Sequence, residues 1–295
     1  MDDHLQHTLG VAATTAGVGL HSGLSVGMTL KPAPAGAGIV FRRIDLDKPL
    51  DATLIPARAD FVAETRLGVV LRNKAGAEVA TIEHLLAAFF LCGIDNAIVE
   101  LDGPETPIFD GSAARYAEMI RSLGRVVQQA PRYALIVDRP YRVETSDRFV
   151  EIVPWSGRIL DVAVDYPDPA IGARTISVSL DDPLDVGRIL QARTFCALKD
   201  VEAMRQAGYG LGGSLENAVV VDDGRILNEG GLRDPEEFVL HKTLDIIGDL
   251  ALIGAPMIGR VRARKSGHDL HTALARLILK DSLKVPKPDL SQVIF

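Results

Sequence analysis

The stretch EEFVLHKTLDIIGDLAL, residues 236–252, sets four ionisable side chains, His241, Lys242, Asp245 and Asp249, into an otherwise apolar helical pattern. At about 100° per residue, His241, Asp245 and Asp249 fall near 0°, 40° and 80°, with Lys242 near 100°. Phe238 and Leu252 project into the same sector, while Leu240, Leu244, Ile246, Ile247 and Leu250 cover the other directions. An arc of unpaired charge inside such a cylinder is costly, and a metal ion is one partner that would offset the cost. His241 and Asp245, at i and i+4, share one helical face and reach a single ion. On an ordinary surface helix the same pair is a solvated, helix-stabilising contact. The apolar flanks weigh against that here, because this helix has little solvated face.

A metal needs at least a third ligand. TIEHLLAA supplies His84 on a second largely apolar helical segment, with Glu83 beside it. Adjacent helical residues point about 100° apart, so Glu83 would flank an ion held by His84 and take a proton from water there. Zinc hydrolases that place Glu next to a ligand His use the same adjacency. Capping is the plainer explanation, with Thr81 just before the helix and Glu83 a favourable first-turn acid. KSGHDLHTALARL adds His268 and His271, one turn apart. Both are possible ligands, although His268 follows Gly267 at a helix start, a place that suits a proton donor close to substrate. AGYGLGGS, residues 207–214, looks like a nucleotide-binding loop, but it follows a helix and precedes the strand-like LENAVVV. The dinucleotide fingerprint needs the opposite order, so this segment reads as a turn packed against backbone or ligand.

These residues must be positioned by elements that the chain can build. Its 295 residues suffice for one large domain or two ordinary ones, and 47% hydrophobic content supports real cores. A net charge of −7 and a pI near 5.5 speak against binding nucleic acid through phosphate neutralisation. The two cysteines, Cys92 and Cys196, form neither a disulfide framework nor a CxxC zinc motif, which points to a reducing cytoplasm. MDDHLQHTLG lacks a signal-peptide core, and the apolar run LLAAFFLCGI is too short to span a bilayer. Alternating strand patterns open the first half, followed by a helix over 81–93 closed by Gly93, the strand NAIVEL and a helix ending near Gly124. The pattern breaks at Pro131, predicting a division into residues 1–129 and 130–295. The second half shows strands near 149–153, 159–166 and 174–180, helices near 184–191, 199–207 and 236–253, the strand GRVRARKSG and a helix over 268–280. Strands first and helices later, in each half, predict two α+β domains.

Taken in order, GVGLHSG, TIEHLLAA, GIDNAIVELDGPETPIFDGSA, ARTF, GGSLENAVVVDD, EEFVLHKTLDIIGDL and SGHDLHTAL resemble the zinc-dependent UDP-3-O-acyl-N-acetylglucosamine deacetylases of lipid A biosynthesis in Gram-negative bacteria. The resemblance runs from about residue 8 to 280. It implies two similar α+β domains, each a sheet layered against helices, with the active site between them. It also implies one catalytic Zn²⁺ on His84, His241 and Asp245, a zinc-polarised water as nucleophile and Glu83 as general base. His268 matches the general acid and oxyanion stabiliser, Asp249 the carboxylate that orients it, and Thr194 a hydroxyl assisting the oxyanion. Lys242, Phe195 and His21 match residues at the substrate. Leu198, Val201 and Met204 are candidates to line a groove for the 3-O-acyl chain, core packing being the alternative for each. The implied substrate is an acylated UDP-sugar, and the expected protein is a cytoplasmic monomer without a transmembrane segment. Fe²⁺ fits the same ligand types.

Four positions depart from the family pattern: Cys196 and Ala197 stand after ARTF in place of Gly and a large apolar residue, Gly68 stands where a small polar residue or Cys is usual, and His271 replaces Asn. Two other functions stay open on the sequence: a metal-dependent deacetylase of another sugar nucleotide, and a non-catalytic sugar-nucleotide-binding paralogue.

Overall fold

A computed structural model describes residues 4–281 of the chain. Its α-helices are α1 (Leu50–Thr53), α2 (Glu83–Cys92), α3 (Ala114–Leu123), α4 (Pro183–Gln191), α5 (Leu198–Gln206), α6 (Glu237–Ala251) and α7 (His268–Asp281). The fold is α+β, and α2 and α4–α7 fall where the apolar periodicity predicts them.

Two sheets are built on one plan. The first runs in the spatial order Ala13–Val18, Ser25–Pro32, Ala97–Leu101, Ile39–Arg43, Leu54–Pro56. The second runs Tyr141–Thr145, Arg148–Val153, Met257–Arg264, Arg158–Asp165, Ala173–Ser179. In each, a late strand enters between two antiparallel pairs, antiparallel to one neighbour and parallel to the other. One helix precedes that strand (α2 or α6) and one follows it (α3 or α7), so the halves are topological repeats that no short sequence period reveals. Each half also carries an insertion. In the first it is the small sheet Val62–Glu64, Val70–Arg72, Glu78–Ala80; in the second, α5 connects the parallel strands Phe195–Ala197 and Val219–Asp222. The strand Arg125–Pro131 carries the chain through position 129/130 and pairs back with Leu5–Leu9.

The equivalent helices α2 and α6 pack against each other in the middle. Leu85, Phe89, Leu244 and Ile247 belong to one apolar core shared by both sheets, each such side chain contributing roughly 1.5–3 kcal/mol on burial. Gly248 makes the close approach possible: a β-carbon built there would overlap the Glu83 carbonyl oxygen and stand 2.7 Å from its carbon. The far end of α2 closes as expected, with Gly93 at φ 71° donating its N–H to Phe89 and Phe90. The near end does not. Ile82 is the N-cap, without a side-chain hydrogen bond, and Thr81 sits at φ 56° with its hydroxyl donated 2.7 Å to Glu105. Capping therefore does not account for Thr81, whereas Glu83 is the first-turn acid expected of it and also lines a cavity. Among the described residues no helix is long and apolar enough to cross a membrane.

Candidate active site

Packing α2 against α6 brings His84, His241 and Asp245 together, with one donor atom from each within 4.8 Å of the others. His241 Nδ1 donates to the Ala192 carbonyl at 3.0 Å, which leaves Nε2 with a free lone pair 3.5 Å from Asp245 Oδ1. Two ligands of a tetrahedral ion at about 2.05 Å stand about 3.4 Å apart, so this spacing suits a shared ion better than a hydrogen bond. Burial pushes both imidazoles down against the pull of Asp245, His241 to about 3, so both are neutral at physiological pH. Burial also works against the charge of Asp245, but the Lys242 ammonium 2.7 Å from its Oδ2 holds that carboxyl well below the usual range. Two neutral imidazoles and one buried carboxylate fit a divalent cation.

Glu83 lies one residue before His84, its Oε2 accepting from the Val69 N–H at 3.2 Å and its Oε1 3.9 Å from His268 Nε2. Burial pushes its carboxyl up to about 7; the charge on His268 acts against this, while Asp249 and Asp245 add to it. His268 is the first residue of α7, and its Nδ1 donates to Asp249 Oδ2 at 2.7 Å. Burial disfavours the imidazolium, yet Asp249, then Glu83 and Asp245, outweigh it and push the ring up to about 10. A carboxylate poised near neutrality thus faces a protonated imidazole, a pairing able to take one proton and give another. His271 stands apart from the His84 group. Its Nδ1 meets the same Asp249 oxygen at 2.7 Å, making a second His–Asp group with His268.

All these groups except Asp249 and His271 line one cavity of about 540 Å³. Thr194, Phe195 and Lys242 also line it, as do the side chains of Leu198, Val201 and Met204. The Lys242 ammonium lies 5.4 Å from the Phe195 ring centre. His21 also lines the cavity, but both its nitrogens are engaged, with the Leu67 carbonyl at 3.0 Å and the Gly210 N–H at 3.3 Å. The loop containing Gly210 is the rejected nucleotide motif; Leu211 and Gly212 donate to the backbone of His21 and Leu20, making it a turn packed on backbone. Among the departures, Cys196 lines the cavity, whereas Ala197 packs on the Ile171, Val219 and Phe238 cluster. At Gly68 a β-carbon would stand 3.1 Å from Glu83 Oε1, so the glycine leaves room beside that carboxyl.

A sequence model of the family described as UDP-3-O-acyl N-acetylglycosamine deacetylase matches residues 6–280, across both halves and every residue of this site. The chain belongs to that family. Its relatives include proteins named UDP-3-O-acyl-N-acetylglucosamine deacetylase. That of Idiomarina loihiensis is 46% identical over 93% of this chain and 89% of its own length. That of Anaeromyxobacter sp. is 45% identical over 94% and 89%, and that of Myxococcus xanthus 46% identical over 94% and 87%.

Three supporting groups escape a reading for chemistry alone. Glu105, buried in the turn-rich PETP segment, accepts from the N–H groups of His21 (2.9 Å) and Ser22 (2.8 Å) as well as from Thr81, tying three site segments together. Arg193 and Glu237 form a buried ion pair at 2.8 Å that anchors the ARTF segment to the start of α6. Gly248 carries a faint signal, a glycine inside an apolar helix where Ala would be favoured.

Proposed function

We propose that this chain is a zinc-dependent deacetylase that hydrolyses the 2-acetamido group of UDP-3-O-(3-hydroxyacyl)-N-acetylglucosamine, releasing acetate and the free amine in lipid A biosynthesis. The observation that carries this reading is the meeting of His84, His241 and Asp245 with Glu83 and His268 in one cavity that Leu198, Val201 and Met204 also line. Membership of a family whose relatives bear that deacetylase name supports the same substrate. We also place the division between the two domains at residues 129 and 130.

When bound by His84, His241 and Asp245, a divalent cation lowers the pKa of water towards about 7 and polarises the amide carbonyl. Glu83 accepts the proton of the attacking water. His268 Nε2, kept protonated by Asp249, stabilises the developing oxyanion together with the Thr194 hydroxyl. Breaking the C–N bond requires a proton on the departing nitrogen, and His268 supplies it. Lys242 offers its charge to the anionic substrate while holding Asp245 ionised, and Leu198, Val201 and Met204 take the acyl chain.

The test is acetate release from the acylated UDP-sugar before chelation, after it, and after one equivalent of zinc is restored. Activity that disappears and returns supports the proposal. Turnover independent of the 3-O-acyl chain would redirect it to another sugar nucleotide. Folded, zinc-loaded protein that releases no acetate across several acyl lengths would leave the non-catalytic binding function.

A further inference from the structure

One oxygen of Asp249 carries two imidazoles, and only His268 belongs to the machinery described above. His268 Nδ1 and His271 Nδ1 each lie 2.7 Å from Asp249 Oδ2, while Oδ1 is buried without a hydrogen-bond partner among the described residues. An ionised carboxylate only accepts, so both Nδ1 atoms carry protons. His271 Nε2 stands 2.8 Å from Ser266 Oγ. The buried His271 ring, 1% exposed, therefore has a partner at each nitrogen. The three residues also have the composition of a cation site. Their spacing argues otherwise, because ligand atoms sharing a tetrahedral ion stand about 3.4 Å apart, whereas 2.7 Å is a hydrogen-bond distance.

Resting on the deacetylase reading, we propose that His271 is a positioning residue: its Nδ1–H fixes Asp249 Oδ2 where His268 Nδ1–H meets it, and so sets the aim and proton affinity of His268. Two features carry this. With Oδ1 unpartnered, these two imidazoles are the side chains that resist rotation of the Asp249 carboxylate. In addition, a second donor draws on the same oxygen, so Asp249 grips the His268 proton less firmly than a carboxylate serving one imidazole. The other charges around His268 do not substitute for this control. Glu83 on α2 and Asp245 on α6 act across the cavity, Lys242 is bonded to Asp245, and Asp269 beside it is taken by Arg148 at 2.7 Å. Ser266, whose Oγ lies 2.8 Å from His271 Nε2, holds the ring at its other nitrogen.

The experiment compares His271→Ala and His271→Asn with the wild-type zinc-loaded protein in kcat, KM, the pH profile of kcat and an NMR titration of the His268 imidazole. Asn presents an N–H close to the place of His Nδ1, whereas Ala presents none. The expected result for Ala is a kcat about ten- to a hundredfold lower, with KM within about threefold, since orientation rather than binding is lost. The alkaline limb and the His268 titration should both rise by at least about 0.5 unit, and Asn should recover kcat to within about threefold of wild type. An Ala variant with unchanged kcat would overturn the proposal. So would equal losses in Ala and Asn, or a fall in Tm with the His268 titration unmoved. Zinc-loaded wild-type protein that releases no acetate defeats the deacetylase reading instead, and the NMR titration then decides the role of His271 on its own.

Discussion

Replacing Gly248 with Ala is the sharpest test of how α2 and α6 build the site, because two effects of opposite sign compete. Intrinsic helix propensity favours Ala over Gly by about 0.8–1.0 kcal/mol in a helix interior, so on that ground alone the variant should be more stable. The structure reverses the sign. A β-carbon on Gly248 would overlap the Glu83 carbonyl oxygen, with the carbonyl carbon at 2.7 Å and Cα at 2.9 Å. Carbon atoms pack at about 3.5–4.0 Å, so the helices must separate by roughly 0.8 Å or more. Overpacking of this kind costs about 1–3 kcal/mol, leaving a net loss of up to about 2 kcal/mol. The same displacement would move His84 away from His241 and Asp245 by several times the roughly 0.2 Å that a metal site tolerates. Urea melts of the metal-free protein should therefore show a lower midpoint, and a zinc titration against a competing chelator an affinity at least about tenfold weaker. A Gly248→Ala protein that is more stable than wild type and binds zinc equally well would refute the close approach of α2 and α6 as the device that assembles the ligands.

Glu83→Gln should lower kcat by about 10²–10⁴-fold while leaving zinc content at wild-type stoichiometry, measured by acetate release and metal analysis. Activity should fall at low pH as Glu83, pushed up to about 7, becomes protonated, a bound cation moving that limb lower. It should fall again as His268 loses its proton near 10, and a pH profile of kcat checks both limbs. Because the His268 value is raised, its charge stabilises the fold fully below the ordinary histidine pKa, and that stability is lost as pH rises through about 10. Arg193→Met strands the buried Glu237 carboxylate and should cost about 3–5 kcal/mol in a urea melt. Val201→Trp should narrow the cavity that Val201 lines, raising KM for long-chain substrates more than for short ones in a series of acyl lengths.

Local order was legible because its physics is local. An apolar helix with a polar arc, a glycine closing a helix and alternating strands all follow from side-chain periodicity and backbone preference, and α2, α6 and α7 lie where those patterns put them. The polar arc of α6 also announced a buried polar site before any partner was known, since charge in such a helix demands compensation. Long-range pairing was not legible. Nothing near Thr81 shows that Glu105, rather than the first turn of α2, receives its hydroxyl. The spacing of His268 and His271 left both open as ligands, and the 2.7 Å contacts of both rings with one oxygen of Asp249 are created by packing α7 on α6. Likewise, Cys196 and Ala197 are neighbours in sequence, but strand alternation and packing give the cavity only the first.

The sequence by itself determined which residues are able to bind a cation, take a proton or give one, because those capacities belong to side-chain type. It also determined which helices must bury those residues, because hydrophobic periodicity belongs to the chain. Tertiary structure alone decided which capacities act together. His84 lies more than a hundred residues from His241 along the chain, and their meeting depends on the repeat of two sheets, the glycine that lets α2 touch α6 and the shared core that holds them in contact. It likewise decided that Glu83 near 7 and His268 near 10 face each other, since burial and neighbouring charge shift proton affinities and both arise only when distant segments close around one cavity.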